Sequence, residues 1–94
     1  MTRDKLYEFF DKTVSCCRKI TVERNERRAN GGDALSNLRG EAMVCGKDVR
    51  NHVLDYIGLK LHRLQHANHN GTEVTDDAYD MINYLVLFLA LKEK

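Results

Sequence analysis

Asp76-Asp77-Ala78-Tyr79-Asp80-Met81-Ile82-Asn83-Tyr84-Leu85-Val86-Leu87-Phe88-Leu89-Ala90-Leu91 carries acids on one flank and an almost unbroken apolar run behind them. Wound at about 100° per residue, it places Asp76, Asp80 and Asn83 on one helical face. From Met81 to Leu91, Asn83 alone is neither aliphatic nor aromatic. A helix that is apolar all round must be covered on every side, and a polar stripe kept inside it is costly unless it meets partners. The stretch therefore predicts a buried terminal helix, capped by Thr75 or Thr72, with an acidic stripe that meets cations from elsewhere.

A helix from about Asp48 to about His66 is the natural source of those cations. Val53, Ile57, Leu61 and Leu64 form its inner face, and Lys60 projects among Val53, Tyr56 and Leu64 with Arg63 at the edge. A buried lysine requires a carboxylate, so Lys60 is expected to pair with Asp80 or Asp76, Asp80 being preferred. The alternative is a lysine whose stem packs while its head reaches water, with Asp76 and Asp77 favouring the positive end of the last helix. His52, Asp55, His62 and His66 fall on the opposite side, where a solvated face accounts for them better than a metal site does.

Further towards the amino terminus, Leu6, Phe9, Phe10, Thr13, Val14, Cys17 and Ile20 recur at three- and four-residue spacing. They predict a first helix from about Asp4 to about Arg28, with Thr2 as its cap. Asn30-Gly31-Gly32-Asp33 ends it, and the segment to Gly40 reads as a connector with room for one short helical turn. The expectation is an all-α chain: one domain over residues 1–94, with three main helices in an antiparallel bundle. Three helices cannot surround the last of them, so the run from Leu85 to Leu91 predicts completion by homo-oligomerisation, most simply a two-fold dimer in which the last two helices of each copy form a four-helix bundle.

Composition narrows the function. Fifteen Lys and Arg stand against fourteen Asp and Glu, which lacks the basic excess of a duplex nucleic-acid binder. The eleven-residue apolar run is too short for the roughly 20 residues that cross a bilayer, and the amino terminus has no apolar signal core. A cytoplasmic protein without a membrane partner is expected. Cys16, Cys17 and Cys45 are odd in number and contain no Cys-x-x-Cys pair, so reduced, partly buried thiols are expected in place of a disulfide framework or a zinc site.

Three segments carry a resemblance: 30–39, Lys60-Leu61-His62-Arg63-Leu64, and 76–84. Their order resembles that in small helical proteins associated with nucleotide modification in phages, which are similar to the MazG-like all-α nucleoside triphosphate pyrophosphohydrolases. The resemblance spans about residues 6 to 91, and its third segment is the most specific. It implies a nucleotide-phosphate ligand, an oligomeric helical bundle and often magnesium. Two departures remove acid: Leu59 stands where the family has an acidic residue before the lysine, and Arg27 and Arg28 stand where it has an aspartate and a tyrosine after the first helix.

Under a hydrolytic reading, Glu23 and Glu26 with Asp77 and Asp80 would hold Mg²⁺, Lys60 and Arg63 would grip phosphate oxygens, and water would be the nucleophile. No side-chain nucleophile is evident, and the catalytic residues stay unassigned. The departures favour a binding reading instead, a degraded scaffold that sequesters a nucleotide or cyclic nucleotide, as a phage sponge for a host-defence signal would in the host cytoplasm. Its ligand-binding residues would be Arg27, Arg28, Asn37, Arg39, Tyr56, Lys60, Arg63, Asp76, Asp80, Asn83 and Tyr84. A third reading is a module that inhibits a host enzyme by protein interaction, with the polar residues fixing helix register.

Overall fold

The structure, a computed structural model, describes residues 1–28 and 35–92, except for the side chains of Arg27 and Arg28. The turn expected at Asn30-Gly31-Gly32-Asp33 lies outside the described residues, as do the guanidinium groups of Arg27 and Arg28. The described residues form four helices and no strand: α1 (Arg3–Arg28), α2 (Ser36–Val44), α3 (Val49–His66) and α4 (Thr72–Ala90). None is long and apolar enough to cross a membrane.

Local chemistry sets most helix ends. The Lys5 amide donates to Thr2 Oγ1 at 3.2 Å, the expected cap of α1. Asp48 caps α3, its Oδ1 accepting from the amides of Arg50 at 3.0 Å and Asn51 at 3.3 Å. At the far end of α3, His66 Nδ1 donates to the His62 carbonyl and His69 Nε2 to the Leu64 carbonyl, the latter one of the carbonyls that the helix end leaves without an amide.

Two expectations at helix ends are corrected. Neither Thr75 nor Thr72 caps α4: Gly71 holds the cap position, after a turn closed by Gly71 N donating to the Asn68 carbonyl at 2.9 Å. The connector after the first helix carries nine helical residues, well beyond a single turn. α2 ends in a paired cap, with Lys47 N donating to the Ala42 carbonyl and Gly46 N to that of Met43. Gly46 has φ +65°, where a Cβ would be strained. Asn37, Arg39 and Gly40 hide this helix from a periodicity search; contact with α3, which buries Ala42, supplies what propensity lacks.

α3 and α4 form an antiparallel hairpin, since Tyr56 lies against Tyr84 and Lys60 against Asp80. α1 packs on α4, and α2 packs on α3. Cys17, Ala42 and Val53 are the only buried hydrophobic residues among those described. Val53 of the expected α3 inner face is fully buried and Ile57 and Leu64 are partly covered, whereas Leu61 is corrected to an exposed position. The α1 stripe at Leu6, Phe9, Phe10 and Val14 is likewise exposed.

Candidate functional site

The hairpin sets Lys60 opposite the acids of α4. Its Nζ lies 3.0 Å from Asp80 Oδ2 and 3.5 Å from Asp77 Oδ1. Arg63 Nε reaches Asp77 Oδ2 at 3.3 Å, and Arg24 of α1 donates through Nη2 to Asp80 Oδ1 at 3.1 Å. Three cations and two carboxylates thus tie α1, α3 and α4 together. Lys60 meets Asp80 as expected, and its head is held by carboxylates, not released to water. The second acid is corrected: Asp77, 3% exposed, is the buried partner, whereas Asp76 is exposed at the rim. Asp77 and Asp80, three residues apart, share the side of α4 turned towards α3. Arg24 was missed because it stands in the charged run from Glu23 to Arg28, where nothing in the sequence separates one cation from the next.

Beside this network lies a cavity of about 180 Å³ between α1, α2 and α4, with Tyr56 of α3 in its wall. The Tyr56 and Tyr84 rings stack at 5.2 Å, 7° from parallel. Tyr56 donates its phenol to Glu41 Oε2 at 2.8 Å, and His52 Nε2 meets the same oxygen at 3.1 Å. His52 is therefore corrected from the solvated face to a buried position, 8% exposed, edge-on to Tyr56; its Nδ1 has no partner among the described residues. Asn83, 7% exposed, lines the cavity, and its buried Nδ2 also lacks a partner among them.

The bond to Glu41 pushes the Tyr56 phenol up to about 12, with burial acting in the same direction. A phenol whose folded value exceeds the unfolded one, about 10, stabilises the fold fully below pH ~10 and loses that contribution as pH rises through the folded value. Tyr56→Phe should be less stable than wild type at neutral pH, and the gap should close between pH ~10 and ~12. Chemical denaturation across that range checks it; a gap constant with pH would show that the phenol is not coupled to folding.

A second cavity, of about 410 Å³, shares Arg24 and Asp80 with the first. Glu23, Asp76 and Asp77 also face it, together with Lys60 and Arg63. The expected Mg²⁺ set fits poorly. Asp77 and Asp80 are engaged by cations, Glu26 is exposed and outside both cavities, and no group of three or more His, Cys, Asp or Glu among the described residues is placed to hold an ion.

The other expected ligand residues divide. Asn37, Tyr56, Asn83 and Tyr84 line the first cavity, Lys60, Arg63 and Asp76 the second, and Asp80 both. Arg39 is exposed on α2, outside both. Cys17 is buried, which pushes its thiol up, Cys16 is partly covered and Cys45 is exposed, so the partly buried reading fails for Cys45. The chain matches no protein-family model, no curated protein and no solved structure.

Proposed function

We propose that this chain binds a nucleotide, linear or cyclic, and holds it without converting it. The observation that carries this reading is Asn83: a buried amide without a partner among the described residues, in the wall of a cavity that also presents a pair of tyrosines. An unsatisfied buried donor is rare in a finished fold, and a ligand carbonyl or ring nitrogen would satisfy it. The first cavity is smaller than the usual ~300–1,000 Å³ of small-molecule sites, so it suits a base and not a whole nucleotide. Phosphates would continue past Arg24 into the second cavity. There the side chain of Arg63 is 56% exposed and offers a guanidinium fork.

Sequestration is favoured over hydrolysis because two of the four carboxylates that would hold a metal, Asp77 and Asp80, are paired with Arg24, Lys60 and Arg63. Calorimetry against a panel of mono-, tri- and cyclic nucleotides, with and without Mg²⁺, tests the reading, with mass spectrometry of the recovered ligand. At least one ligand should bind in the micromolar range and return unchanged. Silence across the panel would refute it, and stoichiometric pyrophosphate release would establish the hydrolytic alternative.

A further inference from the structure

The first three turns of α1 are uncovered. Residues 1–12 are all exposed, and the helix first buries a side chain at Cys17. At 1.5 Å per residue the segment before Thr13 is about 15 Å long. A free helix of that length is marginal in water, yet this one carries Leu6, Phe9 and Phe10, each at least half exposed. A second apolar patch lies on α4, where Leu85, Val86 and Leu89 are 47–59% exposed.

The whole chain shows the same deficit of cover. It exposes 7352 Å², whereas a compact monomer of 10.9 kDa exposes about 5,600 Å². Its radius of gyration is 14.9 Å, against about 12 Å for a compact domain of this length. The excess of about 1,800 Å² per chain matches what each subunit buries in an obligate homodimer, where totals run about 2,000–5,000 Å².

We propose that a second copy of this chain supplies the cover, the amino-terminal arm of α1 from each copy lying on the Leu85, Val86 and Leu89 face of the other. Reciprocal exchange buries both patches with one two-fold operation. Arg3, Lys5 and Lys12 balance Asp4, Glu8 and Asp11 beside the stripe, unlike the cationic flank of a membrane-surface helix. The receiving face carries no charge from Met81 to Leu91, so none is buried there. The dimer expected from sequence uses the last two helices of each copy; this one adds α1 and does not depend on the ligand.

Sedimentation equilibrium on the full chain from micromolar to millimolar concentration tests it, alongside F9E with F10E and L85K with L89K. The wild type should sediment at twice 10.9 kDa, with each double variant weakening association at least a hundredfold. The wild-type mass decides even if a variant fails to fold. A wild-type monomer throughout the range overturns the proposal, as does an assembly that survives both folded variants, or one that forms only on anionic vesicles.

Discussion

Lys60→Met should lower the unfolding free energy by about 3 kcal/mol and the melting temperature by about 15 °C or more. The reason lies in what is left behind. Asp77 is almost fully enclosed and Asp80 nearly so, and both lean on the one ammonium. Methionine matches the stem of lysine but brings no charge, so Asp77 keeps only Arg63 and Asp80 only Arg24. Removing one partner of a buried pair costs far more than the pair contributes, because the remaining charge stays desolvated. Lys60→Met combined with Asp80→Leu should recover much of the loss, since charge leaves with counter-charge. Thermal melts at fixed protein concentration decide; a single variant within about 0.5 kcal/mol of wild type would mean that water already serves these carboxylates.

Asn83→Leu should act in the opposite sense on stability and weaken binding. Leucine has the same number of side-chain heavy atoms as asparagine and carries no donor, so the unsatisfied Nδ2 disappears. An unmade buried hydrogen bond costs about 1–3 kcal/mol, and a gain of about 1 kcal/mol is expected. Ligand affinity should fall at least tenfold, because the replacement presents a methyl group where the base would find its donor. A stabilised variant that binds normally would remove Asn83 from the site; a destabilised one would show that the amide has a partner in solution. Stability rising as function falls is the mark of a polar group retained for a ligand.

The all-α class, the helices at both ends of the chain, the cap at Thr2, the start of a helix near Asp48 and the Lys60–Asp80 pair could all be read from sequence. Each depends on spacing along one helix or on a side chain meeting an amide two or three residues away, and such local geometry repeats wherever the residues occur. The nine-residue α2 was legible only as a turn, since its stability comes from α3 and not from its own residues.

The choice of Asp77 over Asp76, the recruitment of Arg24, the burial of His52 against Glu41 and the Asn83 amide left without a partner among the described residues all arise from how the helices dock. A helical period orders side chains around an axis but leaves open how far that axis is rotated towards its neighbour. Adjacent residues differ by about 100°, and a modest rotation exchanges which acid is buried and which meets water. That a cation and acids must meet between these helices follows from residue spacing; which ones meet follows from the packing of α1, α2 and α3 about α4, because only docked helices fix that rotation.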